Sequence, residues 1–451
     1  MSTYDLLVLG AGPAGYLAAE RAGAAGLNTV LIEKDHLGGV CLNEGCIPSK
    51  TILYSAKLFS QARHSQAFGV TASNVTFDLA TVMARKEKVI DTQRKGIAST
   101  LKKHRVAVEA GRGTILPKQG QAFRVQVDGR ILEGERLLVC TGSEAVHLRI
   151  PGGDQPFVHT NREILSVKTI PGSLVVVGGG VIGLEIATFF AEVGSRVTVV
   201  ELLPAVGGPL DSEIATILQK ELEKKGIVFK LQAKVSAIGD HAVTYDVNGV
   251  QEITSADIVL MSVGRRAVTQ GIGLENIGIF VDNGAIRTDE RGRTNVPGVW
   301  AAGDVNGTSM LAHAAYREAE VCVNDMLGKK DRMRYSAVPS VIYTHPEVAT
   351  VGPTIADAEK RGLAVVGARL PLTYSGRYCA ENEGGRGICK IVIDKKYKTL
   401  LGVHMIGGLC SEMIFGVAAM VESELRVEDI KEIVFPHPTV GEILKDTLWQ
   451  I

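Results

Sequence analysis

A strand, a glycine-rich turn, a helix and a second strand follow one another at the start of this chain and constrain its fold more than any other feature. The segment from Tyr4 to Gly15 reads YDLLVLGAGPAG, an apolar strand that runs into a turn. Tyr16 to Ala25 has helical character, and Thr29 to Glu33 is apolar and β-branched. This order predicts one βαβ unit.

The same order returns far along the chain. An apolar strand is predicted from Ser173 to Val177, followed by the turn GGGVIG from Gly178 to Gly183. A helix is predicted from Leu184 to Val193, and a second strand from Arg196 to Glu201. Two such openings predict two Rossmann-like domains of the same architecture.

The glycines of each turn have the spacing GxGxxG, which is found where a dinucleotide binds. In the first turn, Gly10 permits the tight turn, Gly12 lets the backbone approach a pyrophosphate, and Gly15 allows close packing of helix on strand. Glu33 ends the second strand, where its carboxylate can accept hydrogen bonds from ribose hydroxyls. The alternative is a glycine-rich turn without a ligand. The second unit repeats the pattern with Gly178, Gly180, Gly183 and Glu201.

The acid of the second unit also predicts which dinucleotide binds there. A 2′-phosphate would be repelled by Glu201, and an arginine nearby would be needed to accept it. Leu202, Leu203 and Pro204 follow instead, with no basic residue. We therefore expect NAD rather than NADP.

The length of 451 residues favours about three domains. Arg136 to Ser143 and Asp257 to Arg265 are matching apolar strands that each end in a glycine-containing turn, and Gly298 to Val305 is another strand ending in Gly-Asp. After about Tyr335 we expect short strands and two helices without a nucleotide motif. The predicted domains are a first dinucleotide-binding domain (1–144 and 268–334), a second dinucleotide-binding domain (145–267) and a C-terminal α+β domain (335–451).

Charge and hydropathy exclude some other classes of protein. Lys+Arg and Asp+Glu both number 49, so nothing favours binding to nucleic acid or to an anionic membrane. Leu400 to Val421 is apolar, but His404, Glu412 and several glycines interrupt it, so we expect a strand and a helix rather than a membrane span. No signal peptide is evident, and a cytoplasmic location is predicted.

Two of the seven cysteines lie close together, at Cys41 and Cys46 in the segment GGVCLNEGCIPSK. Zinc sites use shorter gaps and a second ligand pair, which is missing, so no metal site is predicted. On an ideal helix, residues five apart have Cα atoms roughly 8.6 Å apart. A disulfide needs less than about 7 Å, so if both residues sit in a helix the turn between them must be distorted, and Gly45 would ease that distortion. A redox pair is favoured over two incidental core thiols.

These segments resemble the pyridine nucleotide–disulfide oxidoreductases, and within that family the members that oxidise dihydrolipoamide with NAD⁺. The resemblance covers nearly the whole chain. It is carried by CLNEGCIPSK, by both glycine turns and by four further segments: AAGDV before Asn306, MLAHAA from Met310, THPEVATVG from Thr344 and HPTVGE from His437. The redox motif and HPTVGE are its most specific parts.

The resemblance implies that the first domain binds FAD, that the second binds NAD and that the C-terminal α+β domain is a dimerisation domain. One FAD per subunit would be held tightly and non-covalently, with Asp304 facing its ribityl and phosphate region. The other FAD residues implied are Gly10, Gly12, Gly15, Glu33, Lys50, Thr141, Gly142, Ala312 and His313. The residues implied for NAD are Gly178, Gly180, Gly183, Glu201 and Gly264.

The resemblance also implies the catalytic residues. Cys41 would be the interchange thiol that meets substrate, and Cys46 the charge-transfer thiol against the flavin. Lys50 and Glu185 would form an ion pair near the flavin N5. His437 would be the general base and Glu442 its orienting carboxylate. Since this histidine comes from the other subunit in the family, a homodimer is implied.

Some positions depart from the family pattern or have simpler explanations. Glu44 stands where a small apolar residue is common, Phe435 replaces a second histidine, and the turn from Arg265 to Val268 lacks the usual proline. Cys140 is expected in the core and His345 in a structural role. The remaining cysteines, Cys322, Cys379, Cys389 and Cys410, are expected to be inert thiols.

The implied activity is the oxidation of protein-bound dihydrolipoamide, with a lipoylated E2 or H-protein of a multienzyme complex as partner. The alternative is a related reductase for another disulfide or for a metal ion. Arginines that would bind NADP are missing near Glu201, and the chain ends TLWQI without a second cysteine pair. A non-catalytic flavoprotein subunit is the remaining possibility from another class.

Overall fold

The computed structural model describes residues 3–451. The strands are β1 (Thr3–Leu9), β2 (Thr29–Glu33), β3 (Ala107–Ala110), β4 (Gly113–Gln119), β5 (Ala122–Val127), β6 (Arg130–Val139), β7 (Ser143–Ala145), β8 (Val158–His159), β9 (Ser173–Val177), β10 (Arg196–Val200), β11 (Val228–Lys230), β12 (Ala233–Gly239), β13 (Ala242–Val247), β14 (Val250–Ser255), β15 (Ile258–Met261), β16 (Arg265–Ala267), β17 (Val281–Asp282), β18 (Ala285–Ile286), β19 (Val299–Ala301), β20 (Ser340–Ile342), β21 (Glu347–Val351), β22 (Val365–Pro371), β23 (Ile388–Asp394) and β24 (Leu400–Gly407).

The α-helices are α1 (Pro13–Ala24), α2 (Gly39–Glu44), α3 (Cys46–His64), α4 (Leu79–Lys103), α5 (Asn161–Ile164), α6 (Val181–Glu192), α7 (Ser212–Glu223), α8 (Ala312–Met326), α9 (Ile355–Lys360), α10 (Gly376–Glu381), α11 (Cys410–Glu422), α12 (Val427–Glu432) and α13 (Glu442–Leu448).

The chain divides into two compact units, and the first comprises residues 1–51, 81–146 and 264–334. Its main sheet has the order β3-β2-β1-β6-β5-β4, with β19 also paired to β6. The strands β1, β2, β3, β6 and β19 run parallel, while β4 and β5 extend the sheet antiparallel. Leu6, Leu7 and Val8 of β1 are completely buried, as expected for a parallel strand covered on both faces.

Small side chains bring two helices of this unit close together. Ala14 and Ala18 of α1 share a hydrophobic cluster with Ala315 and Ala319 of α8. Alanine has no side-chain rotamer entropy to lose and allows the two helix backbones to approach. The amino ends of α1 and α8 therefore lie at the same edge of the sheet, beside the glycine-rich turn that follows β1.

The second unit comprises residues 52–80, 147–263 and 335–451. Its parallel sheet has the order β11-β10-β9-β15-β8, and a three-stranded antiparallel sheet follows the order β12-β13-β14. A third, antiparallel sheet has the order β20-β21-β24-β23-β22. The buried residues of this last sheet form one core with apolar residues of α11 and α13.

Two expectations about secondary structure require correction. Residues 335–451 contain five α-helices (α9–α13) and not two; three of these have only six residues and a fourth has seven, too few turns for a helical period to appear in the sequence. The strand predicted from Arg136 to Ser143 begins at Arg130 and ends at Val139, because pairing with β5 extends it through polar residues. The strand and helix expected between Leu400 and Val421 are confirmed as β24 and α11.

Candidate active site

The first glycine-rich turn joins β1 to α1 and has the features that each glycine was expected to supply. Gly10 has a φ of +102°, and a Cβ there would lie 2.3 Å from the carbonyl oxygen of Cys140. A Cβ on Gly15 would lie 1.7 Å from the carbonyl oxygen of Gly10, so only glycine permits this packing. A Cβ on Gly12, in contrast, would meet nothing within 4 Å, so the backbone is open on that side.

A carboxylate holds this turn from the end of the neighbouring strand. Glu33 accepts a hydrogen bond from the backbone N–H of Ala11 at 2.6 Å with one oxygen, and from that of Asp35 at 2.8 Å with the other. A carboxylate has about four lone-pair sites, so Glu33 keeps acceptor capacity for a ribose. Gly12 is the N-cap of α1 and has no side chain to cap it, which leaves the helix N-terminus for an anion.

The second turn, between β9 and α6, repeats this arrangement. Gly178 has a φ of +103°, and a Cβ on Gly183 would lie 2.2 Å from the carbonyl oxygen of Gly178. A Cβ on Gly180 would meet nothing within 4 Å, so the backbone is open there. Glu201 accepts from the N–H of Gly179 at 2.5 Å and from that of Leu203 at 2.7 Å. The two turns therefore fit the pyrophosphate and ribose of two dinucleotides.

The turns at Thr141 and Gly264 meet in the first unit, where both loop segments were predicted to bind cofactor. Thr141 donates its hydroxyl to the carbonyl of Val268 at 2.7 Å, and the N–H of Val268 donates to the carbonyl of Gly142 at 2.9 Å. The N–H of Val146 donates to the carbonyl of Gly264 at 3.0 Å. These bonds flank the short antiparallel β7–β16 pair.

The redox pair lies where one helix ends and the next begins. Cys41 is in α2, Cys46 is the first residue of α3, and Gly45 between the helices has non-helical dihedral angles (φ −143°, ψ −109°). The distortion expected from the five-residue spacing is therefore present, as a break between two helices at Gly45. The thiol of Cys41 hydrogen-bonds to Cys46, and this bond, together with burial, raises the pKa of Cys41.

Lys50 is one turn further along α3 and opposes that shift, since its positive charge lowers the pKa of Cys41. The helix α2 is also held from outside the motif. Asn43 donates to the carbonyl of Gly39 at 2.8 Å and accepts from the guanidinium of Arg94 at 2.7 Å. Asn43 and Arg94 were not singled out from the sequence, because their contact joins residues 51 positions apart.

Asp304 belongs to a polar network that the sequence did not indicate. Ser143 donates its hydroxyl to the carboxylate of Asp304. Arg265 donates to that same hydroxyl at 2.8 Å and to the backbone carbonyl of Ser143 at 2.7 Å. Burial lowers the pKa of Arg265, while the negative charges of Asp304, Cys46 and Glu44 oppose the shift. Glu44, the unusual residue of the redox motif, therefore acts on the same guanidinium as Cys46.

The predicted base and its carboxylate are brought together in the second unit. Nδ1 of His437 lies 2.8 Å from the carboxylate of Glu442, and the N–H of Thr439 donates to the other carboxylate oxygen at 2.8 Å. The Thr439 N–H and then His437 lower the pKa of Glu442, so it stays ionised. The side chain of His437 is 80% exposed, so the imidazole is open on its other side.

The remaining predicted residues are placed as follows. Glu185 is buried in α6 and accepts from the N–H of Tyr343 at 3.0 Å. Lys50 belongs to the first unit and Glu185 to the second, so their ion pair stays a prediction. Ala312 and His313 begin α8, and His313 is exposed. Cys140, Cys322, Cys389 and Cys410 are buried, whereas Cys379 is exposed.

Comparison with known proteins places the chain in a family. Residues 4–319 match the model "Pyridine nucleotide-disulphide oxidoreductase", and residues 338–448 match the dimerisation domain of the same family. The chain belongs to the pyridine nucleotide-disulphide oxidoreductases. This membership confirms the resemblance inferred from the motifs, the α/β fold class with two Rossmann-like domains and a C-terminal dimerisation domain, and the predicted cofactors FAD and NAD.

Relatives within the pyridine nucleotide-disulphide oxidoreductases align over nearly the full chain. A mitochondrial dihydrolipoyl dehydrogenase of Pisum sativum is 37% identical, and the alignment covers 98% of this chain and 90% of the relative. A dihydrolipoyl dehydrogenase of Cupriavidus necator is 36% identical, and the alignment covers 98% of this chain and 97% of the relative. A leghemoglobin reductase of Glycine max is 36% identical, and the alignment covers 98% of this chain and 86% of the relative.

Solved structures of similar proteins have the same fold. LpdA of Mycobacterium tuberculosis superimposes with a TM-score of 0.91 at 26% identity, over 100% of this chain and 99% of its own. The HOCl-induced flavoprotein disulfide reductase RclA of Escherichia coli, as its Cu(II) complex, has a TM-score of 0.88 at 28% identity over the whole of both chains. The dimerisation domain supports assembly as a homodimer. None of the helices between residues 3 and 451 has the length and apolar character that a membrane crossing requires.

Proposed function

We propose that this protein is a dihydrolipoyl dehydrogenase, which oxidises protein-bound dihydrolipoamide to lipoamide and reduces NAD⁺. The observation that carries the proposal is the contact between Cys41 and Cys46 at the α2–α3 junction, in a chain that also holds two dinucleotide turns. Relatives of that name at 36–37% identity over 98% of the chain support it. The chain is an oxidoreductase by family, and the substrate is the part proposed.

The ligands are assigned to the domains predicted from the sequence. FAD would be held by the turn from Gly10 to Gly15, by Glu33, Lys50 and Asp304, and by the segments around Thr141 and Ala312. NAD would be held by the turn from Gly178 to Gly183, by Glu201 and by Gly264. When bound, FAD would supply the two-electron redox chemistry that links the dithiol to NAD⁺. The open backbone at Gly12 and at Gly180 supports both assignments.

The selectivity for NAD is part of the proposal. Glu201 occupies the end of β10, and Leu202 and Leu203 beside it are 63% and 54% exposed. Neither leucine can neutralise a 2′-phosphate, and the carboxylate would repel it. We therefore assign NAD to this site.

Proton transfer is assigned to His437. Its Nδ1 is held by Glu442, which leaves Nε2 for the thiol of the substrate. A thiol attacks a disulfide only as thiolate, so loss of this proton starts the reaction. The thiolate attacks Cys41, the Cys41–Cys46 bond breaks, and the electron pair of that bond goes to Cys46.

The second half of the exchange restores the substrate as a disulfide. The remaining substrate thiol loses its proton and attacks the sulfur that is bound to Cys41. A new S–S bond forms within the lipoyl ring, and Cys41 leaves with the electron pair of the bond that breaks. The substrate has then lost two electrons, and Cys41 and Cys46 have gained them. Because the thiol of Cys41 points to Cys46, negative charge on the dithiol is favoured at Cys46.

The partners follow from the same reaction. Lipoamide is carried on proteins, so the proposed partner is a lipoylated E2 or H-protein of a multienzyme complex, with a cytoplasmic location. The base would come from the second subunit of a homodimer, which makes two chains necessary for each site.

The proposal is tested by steady-state assay of the purified holoenzyme and of a Cys46→Ser variant. We expect NADH-linked lipoamide turnover in the natural chain and a loss of more than about 100-fold in Cys46→Ser, because the disulfide can no longer form. Cys379→Ser is the matched control, since Cys379 is an exposed thiol in α10, outside the redox motif and both glycine turns. Faster turnover of glutathione disulfide or Hg²⁺ than of lipoamide, or of NADPH than of NADH, would reject the assignment.

A further inference from the structure

Two tyrosine hydroxyls meet where α1 packs against α8, in the first unit. The oxygen atoms of Tyr16 and Tyr316 are 2.5 Å apart, and their rings make an edge contact with centroids 5.9 Å apart. The alanines shared by the two helices allow this approach. The pair joins residues 300 positions apart, and neither tyrosine has a role in the function proposed above.

The redox motif is fixed to the same corner of the unit. The N–H of Gly38 donates to the carbonyl of Ala11 at 2.9 Å. A Cβ on Gly39 would lie 2.6 Å from the Cα of Gly12, the N-cap of α1, so the start of α2 touches the start of α1. Cys41 and Tyr16 both lie in the first turns of these two helices. The hydroxyl pair and the redox motif are therefore held at the same corner of the unit.

The charges around the pair agree with this placement. Burial and the contact with Tyr316 raise the pKa of Tyr16, and Cys41 and Glu20 add to the shift. Burial raises the pKa of Tyr316, and Cys41 and Cys46 contribute. Both shifts favour the protonated phenol, so each hydroxyl can donate a hydrogen bond.

One of the two hydroxyl protons of the pair is not used in the bond between the tyrosines. Two hydroxyls carry two protons, and the bond between them uses one. The second proton needs an acceptor outside the pair, and it is strengthened as a donor because hydrogen bonds in a chain polarise one another. The negative charge of the Cys41 sulfur raises the pKa of both Tyr16 and Tyr316.

We propose that the Tyr16–Tyr316 pair is a hydrogen-bond donor to the sulfur of Cys41 and stabilises that sulfur when it is negatively charged. The proposal deepens the proposed function and rests on it for its purpose, since Cys41 leaves the mixed disulfide as a thiolate. No proton is transferred in this step: the S–S bond to Cys41 breaks, its electron pair goes to Cys41, and the phenol donates a hydrogen bond to it.

The need for such a donor follows from the surroundings of Cys41. The bond to Cys46 and burial make its thiolate unfavourable, and Lys50 is the positive charge that opposes them. A phenol hydrogen bond to a charged sulfur belongs to the stronger, charge-assisted class. It therefore favours the departure of Cys41 at the moment when the charge appears.

The test measures the thiolate of Cys41 directly, without lipoamide or NAD. In the FAD-loaded Cys46→Ser protein, alkylation of Cys41 by iodoacetamide is followed against pH, and peptide mass spectrometry confirms the modified residue. Tyr16→Phe and Tyr316→Phe each keep the ring and remove one hydroxyl. We expect either change to raise the midpoint pH of alkylation by about one unit, because a hydrogen bond that favours the thiolate is lost.

A double-mutant cycle tests whether the tyrosines act as a pair. Each single change breaks the chain of hydrogen bonds, so we expect the double variant to match the larger single shift. Tyr397→Phe is the control for loss of a hydroxyl at an exposed turn and should leave the midpoint unchanged. If one single variant fails to retain flavin, the other carries the same test.

Two results would overturn the proposal: an unchanged midpoint in a Phe variant that keeps its flavin and thermal stability, or single shifts that add in the double variant. Failure of the proposed function is visible separately. A shifted midpoint in a protein that does not turn over lipoamide would reject the substrate and keep the hydrogen bond. Normal lipoamide turnover with an unshifted midpoint would do the reverse.

Discussion

At the scale of single residues, Glu318 shows how a buried carboxylate outside any motif prepares a binding loop. It lies in α8 and is only 3% exposed. It accepts from the N–H of Gly303 at 2.6 Å and from the side-chain amide of Asn306 at 3.0 Å. Gly303 has a φ of +79° and precedes Asp304, so this carboxylate holds the turn that presents Asp304 to the predicted FAD site.

We expect Glu318→Ala to lower the free energy of unfolding by about 1–3 kcal/mol, because it leaves a buried N–H without an acceptor. The same change should lower the flavin content of the purified protein. Urea unfolding and flavin absorbance per chain measure the two effects. Glu320→Ala is the matched control, as Glu320 lies two residues on in α8 at the surface, 37% exposed. Equal effects of both changes would show that Glu318 has no special role.

At the scale of elements, the junction of α2 and α3 decides the distance between the two redox sulfurs. Gly45 ends one helix before Cys46 begins the next. A Cβ on Gly45 would lie 3.0 Å from the carbonyl oxygen of Val40 and 3.4 Å from the Cα of Cys41. The first of these distances is tighter than ordinary van der Waals contact, so a side chain would push α2 away from α3.

We expect Gly45→Ala to slow closure of the Cys41–Cys46 disulfide at least about tenfold, since a disulfide tolerates little change in Cα separation. Thiol titration during reoxidation of the reduced holoenzyme measures the rate. Gly96→Ala in α4 is the control, because a Cβ there meets nothing within 4 Å. That control should leave the rate unchanged and raise the unfolding free energy by roughly 0.5–1 kcal/mol. Unaltered closure in Gly45→Ala would contradict this account of the junction.

At the scale of the whole molecule, the C-terminal residues carry apolar side chains that a single chain leaves exposed. Phe415 on α11 is 79% exposed and Val434 is 89% exposed, and both lie within residues 338–448, which match a dimerisation domain. Exposed apolar groups of this size are typical of protein interfaces. The exposed imidazole of His437 lies on the same domain, where a partner subunit could use it.

We expect Phe415→Asp to weaken the dimer, because it places a charge in an apolar interface. Sedimentation velocity should show monomer at concentrations where the natural chain is dimeric. Lipoamide turnover should fall with the dimer, while NADH-dependent reduction of ferricyanide, which needs no thiol exchange, is kept. Phe280→Asp is the control, since Phe280 is 58% exposed outside this domain. A monomer with full lipoamide turnover would contradict a site shared between subunits.

The parts of the fold that follow from local sequence were predicted well. The strands Thr29–Glu33 and Ser173–Val177 have the predicted limits, because each is a short apolar run between turn residues. The short helices of the C-terminal domain were missed because six or seven residues show too little periodicity. Two features of the candidate site also depend on residues close in sequence. The contact of His437 with Glu442 spans five positions, and the distorted backbone at Gly45 lies between Cys41 and Cys46; both were predicted.

The sequence by itself determined the two dinucleotide turns, the redox pair and the family, since each depends on residues within a short stretch whose spacing sets their geometry. Only the tertiary structure decided which distant residues surround them. Tyr316 meets Tyr16 across 300 positions, and Ser143 meets Asp304 across 161. Such contacts depend on how helices and strands pack, and no local pattern records that packing. The physical reason is that hydrogen bonds and buried charges act over a few ångströms in space, whatever the separation along the chain.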